Sequence, residues 1–233
     1  LDWIAGGTAE AKRRLRDFIH TKLDHFGELR NDPSRDYLSN LSPFLHFGRI
    51  SPLHVALEVK NSGSRGAEAF LEELIVRREL SMNFVFFNPR YDKYAGIPKW
   101  ARTTLAEHAR DKRPHLYSRH GLEQGRTHDP YWNAAQKELT EHGKMHGYMR
   151  MYWGKKILEW SRTPSRAHRV ALDLNDTYSL DGRDPNGFTG VAWCFGKHDR
   201  GWKERSVFGK VRYMNAEGLR RKFNMDAYVR RLS

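Results

Sequence analysis

The spacing of apolar residues restricts this chain to one fold class. Over nearly its whole length they recur at intervals of three and four, the period of a helix, and strict alternation is almost absent. Ala11, Leu15, Phe18, Lys22 and Phe26 fall at those intervals, with Thr8 as the expected N-cap. Ser42-Pro43, Ser51-Pro52 and Asp129-Pro130 each pair a capping side chain with a residue whose missing N–H costs nothing at a helix start. A long helix is expected from Ala67 to Phe87, with Phe70, Leu71, Leu74 and Ile75 on its apolar face and Asn88-Pro89 as its stop. Further helices are expected over His146 to Trp160 and Ser165 to Leu174. Beyond residue 175 the turn residues dominate and the chain reads as long loops. Val207 to Met214 is the one loose strand candidate. The expectation is all-α. No repeat, low-complexity tract or Pro/Gly/Ser linker divides the chain, so residues 1–233 read as one domain.

The formal charge of +13 calls for a polyanionic partner, either nucleic acid or an anionic membrane surface. Seven tryptophans and 12% aromatic residues exclude a disordered polybasic tail. No apolar run approaches the roughly 18 residues that cross a bilayer, and no secretory signal opens the chain. The single cysteine, Cys194, can make neither an internal disulfide nor a cysteine zinc site, which points to a reducing, intracellular setting. The glycine-rich phosphate loops, the H-E-x-x-H pair and the G-x-S-x-G elbow are all missing. His142 and His146 can share a helix face. Without a third ligand they read as solvated surface histidines, and no metal is expected.

Five segments carry residue types suited to chemistry. Leu38-Ser39-Asn40-Leu41-Ser42-Pro43, close after Arg30, combines hydroxyls with the N–H groups of a helix start. It is either ordinary capping or an anion site. Between Glu72 and Glu79, the residues Glu73, Arg77 and Leu80 fall on one helical face. That face is either a salt-bridged surface or a partly buried carboxyl and an arginine turned to a pocket. Trp153 and Trp160 are seven residues apart, about 10 Å along a helix axis, and Trp132 on a neighbouring helix fits between them. Such rings are either core packing or stepping stones for electrons. The polar stretch from Asn175 through Asp181 to Gly187 is a solvated turn or a ligand clamp, with Arg150 and Asp181 as natural ion-pair partners. Trp193 to Arg212 interleaves basic residues with tryptophan, which suits phosphate contacts plus base stacking or wedging; scattered surface charge is the alternative.

In order along the chain, six motifs resemble those of one family. They are Arg30-Asn31-Asp32-Pro33, Leu41-Ser42-Pro43-Phe44-Leu45-His46-Phe47-Gly48, Glu73-Leu74-Ile75-Val76-Arg77-Arg78-Glu79-Leu80, Asn133-Ala134-Ala135-Gln136-Lys137-Glu138, Lys144-Met145-His146-Gly147-Tyr148-Met149-Arg150-Met151-Tyr152-Trp153 and Leu180-Asp181-Gly182-Arg183-Asp184-Pro185-Asn186-Gly187. The family is the class II cyclobutane-pyrimidine-dimer DNA photolyases, and the resemblance covers the C-terminal, helical FAD-binding domain over about residues 8 to 232. It implies a bent FAD in the middle of the domain. It also implies blue-light excitation of the fully reduced flavin, transfer of an electron to a flipped-out pyrimidine dimer, ring splitting and return of the electron.

Residue by residue, the resemblance makes Ser39, Asn40, Leu41 and Ser42 a phosphate-binding segment with Arg30 nearby. Phe26, where the family has tyrosine, and Gly182 also belong to the cofactor site. Phe70, Glu73 and Arg77 line the flavin–substrate pocket, and a protonated Glu73 hydrogen-bonds the pyrimidine. Arg150 and Asp181 pair beside the flavin ring, and Asn175 faces flavin N5. Trp153, Trp132 and Trp160, in that order outward, relay electrons from the surface. Met151 and Trp193 line the lesion pocket, while Arg200, Trp202 and Arg212 enter the DNA bubble. Gly196-Lys197-His198-Asp199 is one residue shorter than the family pattern. The family's N-terminal α/β antenna domain has no counterpart here. Residues 1–7 read as the remainder of a linker, and no antenna chromophore site is expected in this chain. The expected partner is duplex DNA carrying a pyrimidine dimer, bound by a monomer, with no membrane. Two rival readings are a cryptochrome-like flavoprotein that senses light without repair, and a helical nucleic-acid-binding module without cofactor.

Overall fold

The structure, a computed structural model, describes residues 1–232. Among them the architecture is helical. Helix α1 (Thr8–Thr21) leads through a 3-10 turn to α2 (Phe26–Leu29), α3 (Ser42–His46) and α4 (Pro52–Asn61). The long helix has three parts: α5 (Ala67–Leu71), a π-helical segment (Glu72–Arg77) and α6 (Arg78–Phe87). Then come α7 (Lys99–Glu107), α8 (Arg119–Glu123), α9 (Pro130–His142), α10 (Gly147–Glu159), α11 (Pro164–Tyr178), α12 (Pro185–Cys194), α13 (Ala216–Lys222) and α14 (Met225–Arg231). The strand expected over Val207 to Met214 is not formed; an isolated bridge between Arg205 and Gly209 is all that remains of it.

The caps explain most of the helix starts. Ser51, Asp129, Thr163, Asp184, Asn215 and Asn224 each accept a backbone N–H of the following first turn. Two expectations fail here. Thr8 lies inside α1, whose N-cap is Gly7 at φ 96°, and Ser42 is the first residue of α3 rather than its cap. The loops expected beyond residue 175 are largely helix. Helix α11 runs on to Tyr178, α12 holds two glycines that weaken its sequence signal, and α13 and α14 have seven residues each, too few to show a period.

Two apolar clusters form the interior. The smaller joins Leu15, Phe18, Phe26, Leu41, Phe44, Val55 and Phe70. The larger gathers Trp132, Trp153 and Trp160, α9 to α12 and the C-terminal helices. The long helix belongs to both, with Phe70 and Leu74 in the first and Phe84 in the second. Helices α10 and α12 approach so closely that a Cβ on Gly154 would run into Cys194 Sγ. Burial pushes that thiol up to about 11, so it is protonated at neutral pH.

Beside Cys194 lies Lys155, fully buried with its Nζ lacking a hydrogen-bond partner. Desolvation pushes its ammonium down to about 8. The folded protein therefore disfavours the proton that the unfolded chain keeps, and the cost is greatest at neutral pH. Lys155→Met is expected to remove on the order of 3 kcal/mol of that cost and to raise Tm at pH 7 by roughly 5–10 °C. The gain shrinks as pH rises through about 8 toward the free lysine value of about 10.4. Thermal unfolding at neutral and at alkaline pH checks this, and an equal gain at both would refute it.

Candidate functional site

A cavity of about 720 Å³ opens along the seam between the two clusters. The π segment shapes one wall. A π turn brings residues five apart into register, where an α-helix aligns residues four apart. Arg77 accordingly pairs with Glu72, Nε to Oε1 at 3.3 Å. The expected alignment of Glu73 with Arg77 is replaced. Glu73 pairs with Arg30 at 2.6 Å, and the Arg77 guanidinium lies 5.4 Å from the centre of the Trp193 ring. Both residues still line the cavity. The Glu73 side chain is 37% exposed and paired with Arg30, whereas the hydrogen bond to a pyrimidine implied for it calls for a protonated carboxyl. Phe70 and Phe26 meet edge to face at 5.3 Å beneath this corner, and the Arg30 guanidinium lies 5.6 Å from the Phe26 ring centre.

Another part of the lining is rich in hydroxyls and charge. Ser39, Asn40, Leu41 and Ser42 belong to it. Asn40 has φ 55°, a left-handed conformation that asparagine tolerates. The Ser39 hydroxyl accepts from Leu41 N, and Lys144 Nζ donates to Ser42 Oγ at 2.8 Å. Lys144 lines the same wall and was not singled out by sequence. Asp181 is close to it. Burial alone would push the Asp181 carboxyl up, but the Arg150 and Lys144 charges and the Ser179 and Ser42 hydroxyls hold it well below the usual carboxylate range.

The expected ion pair between Arg150 and Asp181 is not a direct contact. Arg150 Nη1 donates to Asn175 Oδ1 at 2.6 Å, and Asp181 Oδ1 accepts from Ser179 Oγ at 2.6 Å. The two charges act on each other through space. Asn175 is buried, with Nδ2 donating to Asp176 Oδ1, and it stands behind the lining rather than in it. Gly187 is in the lining, and a Cβ there would come within 3.0 Å of Asn175 Nδ2. Gly182 does not line the cavity. It tightens the preceding turn, where a Cβ would press on the Asp176 and Ser179 carbonyl oxygens at 3.0 Å. Thr189 on α12 is a further lining residue, with a buried hydroxyl that has no partner. Nothing in the sequence marked it, because that segment read as loop.

The three tryptophans form a continuous row. Trp132 and Trp153 are parallel at 4°, with ring centres 6.5 Å apart, and Trp132 meets Trp160 at 5.6 Å. Their positions are fixed by hydrogen bonds: Trp132 Nε1 donates to the Trp153 carbonyl and Trp153 Nε1 to Gln136 Oε1. All three are buried, so Trp160 is not itself a surface residue. Tyr117 and the exposed His128 abut it at 5.4 and 5.2 Å and continue the row outward.

Met151, Trp193 and Arg212 line the cavity, whereas Arg200 and Trp202 lie outside it. The Arg200 and Arg212 guanidinium groups lie 5.5 and 5.1 Å from the centre of the exposed Trp202 ring. His146, read from sequence as a surface histidine, is buried. Its Nδ1 accepts from Tyr148 N at the start of α10, and burial pushes the ring down to about 4. Among the described residues no group of three or more His, Cys, Asp or Glu could hold a metal ion.

No protein-family model matches the chain. It is 59% identical to the deoxyribodipyrimidine photo-lyase of Methanothermobacter thermautotrophicus over 97% of its own length and 51% of that protein. It is 52% identical to that of Potorous tridactylus over 100% of its length and 44% of that protein. The chain thus spans about half the length of the curated relatives it matches. A class III photolyase structure from Agrobacterium tumefaciens superposes with a TM-score of 0.77 at 23% identity, covering 99% of this chain and 45% of that one, which speaks to the fold. By sequence the chain is a homologue of the deoxyribodipyrimidine photo-lyases, and its helical fold is the one it shares with the photolyase structure.

Proposed function

We propose that the cavity holds FAD and that the chain carries the light-driven splitting of cyclobutane pyrimidine dimers in DNA. One juxtaposition carries this reading. A single cavity is lined by hydroxyls, an ammonium, carboxylates, arginines and an indole, and Trp153 of the tryptophan row lies on the same helix as its lining residues Arg150 and Met151. The lining suits a long, anionic, partly aromatic group. The orphaned Thr189 hydroxyl supplies an unused polar contact, and Gly187 and Gly190 leave the α12 backbone bare at two points of the lining.

Ser39 to Ser42 and Lys144 would hold the phosphates, and Arg150 and Asp181 would face the ring system, with Asn175 holding Arg150 from behind the lining. When bound, reduced FAD supplies an excited electron that the dimer accepts and returns, so two carbon–carbon bonds break with no net oxidation. Arg30 lines the cavity, where its guanidinium would offer hydrogen bonds and positive charge to a pyrimidine carbonyl gaining negative charge, with Glu73 beside it to donate to the pyrimidine when protonated. Met151 and Trp193 would provide apolar surface for an extruded pyrimidine dimer. Arg77, Arg78 and Arg212 border the same opening and suit the phosphates of the duplex, with Trp202 as the wedge outside it. The class II assignment, action as a monomer and an intracellular setting belong to the same proposal.

Purified protein is expected to show a flavin absorption band and to remove dimers from an oligonucleotide duplex under blue light. Photoreduction with intact dimers would instead favour a light sensor, and absence of flavin uptake after refolding with FAD would sink the proposal. Trp153→Phe is expected to block photoreduction of oxidised flavin while sparing repair after chemical reduction. Equal photoreduction in mutant and parent would contradict the relay. Thr189→Val removes a buried, unpaired hydroxyl. It is expected to stabilise the ligand-free protein by about 1 kcal/mol and to weaken FAD retention about fivefold, the worth of one hydrogen bond. Calorimetry and flavin titration read the two effects, which are opposite in sign.

A further inference from the structure

Outside the cavity, three side chains fasten the Trp202 loop to helix α7. His108, just past the end of α7, places Nδ1 at 2.6 Å from Asp111 Oδ2 and Nε2 at 2.9 Å from Glu204 Oε1. Ionised carboxylates only accept hydrogen bonds, so both ring nitrogens must donate, and the ring that does so is the imidazolium. Asp111 Oδ2 also accepts from Val207 N at 2.8 Å, and Thr104 Oγ1 on α7 accepts from Lys210 N at 3.0 Å. Val207 has φ 69°, a left-handed conformation that is strained for a β-branched residue and persists only where its surroundings hold it. The Trp202 backbone N–H donates to the Lys210 carbonyl at 2.8 Å, so Trp202 is tied to the fastened part of the loop, and Arg212 follows two residues later.

We propose that His108, clamped as an imidazolium between Asp111 and Glu204, is a positioning residue for the loop that presents Trp202 and Arg212 to DNA. The DNA-facing part of this inference rests on the proposed function; the fastening of the loop does not. The charged and titratable groups around the ring are consistent with it. Glu204 and Asp111 raise the ring above its ordinary value, Glu204 first. The Val207 N–H and His108 hold the Asp111 carboxyl down to about 2. Lys210 acts on Glu204, and Arg113 lies within the field of Asp111. A ring raised in the folded state contributes its full stabilisation below the free histidine value of about 6.5 and loses it as pH rises through the higher folded value.

The test uses the whole chain and needs no DNA for its first arm. Hydrogen exchange of the Val207 amide, corrected for intrinsic base catalysis, is expected to lose about tenfold in protection on the alkaline side, the worth of one charge-assisted hydrogen bond. In Glu204→Gln the amide donates to a neutral Nε2 while Nδ1–H still serves Asp111, so the alkaline loss is expected to disappear. Glu204 is an exposed side chain, so this variant should fold. Protection that is flat with pH in the parent, or falls equally in both proteins, overturns the clamp. In the second arm, affinity for dimer-containing duplex is expected to fall with the same pH dependence in the parent and not in Glu204→Gln. Parallel pH profiles there, with the exchange result intact, overturn the coupling to DNA alone. If neither protein binds duplex at any pH, the functional reading falls while the exchange arm still decides the clamp.

Discussion

The long helix from Ala67 to Phe87 is the member on which the rest of the molecule depends, because it is the one element shared by both apolar clusters. Phe70 and Leu74 anchor its first half and Phe84 its second, and the cavity lies along the seam that it crosses. A regular helix there would align Glu73 with Arg77. The π turn instead sends Glu73 to Arg30 and Arg77 toward Trp193, so acid and guanidinium stand at separate points of the mouth. The irregularity is a loss of ideal backbone geometry, held because well-packed helix flanks it on both sides.

Charge management follows from the same seam. Asp181 is half-buried near Arg150, Lys144, Ser42 and Ser179, and these groups together outweigh the cost of removing a carboxylate from water. Arg150 is directed away from Asp181 and into Asn175, so the acid, the base and the amide form a row rather than a closed pair. Such a row leaves hydrogen-bonding capacity toward the cavity, as the partnerless Thr189 hydroxyl does from the α12 side.

Much of this was legible in the residue order. The long helix, the caps at Ser51 and Asp129 and the grouping of the three tryptophans followed from period, capping chemistry and spacing. About half of the cavity lining, from Arg30 and Ser39 to Trp193 and Arg212, came from motif resemblance. What stayed hidden has physical causes. A π turn has no sequence signature distinct from a helix, so the partners of Glu73 and Arg77 were misassigned. Helices α13 and α14 are too short to display a period, and the glycines of α12 disguised both that helix and Thr189. The burial of Lys155 and His146 depends on what packs from distant segments, which spacing along one helix does not reveal.

The tryptophan row has a further consequence in its hydrogen bonds. An indole that gives up an electron becomes a strong acid at its ring nitrogen. The Trp132 and Trp153 nitrogens face a peptide carbonyl and a glutamine amide oxygen, neither of which is a base that takes a proton. Buried away from solvent, a ring oxidised in the proposed relay would keep its proton and therefore its positive charge. Its hole would then be free to migrate to the next ring instead of being trapped as a neutral radical, and the first place where a proton could readily leave is the exposed end near Tyr117 and His128.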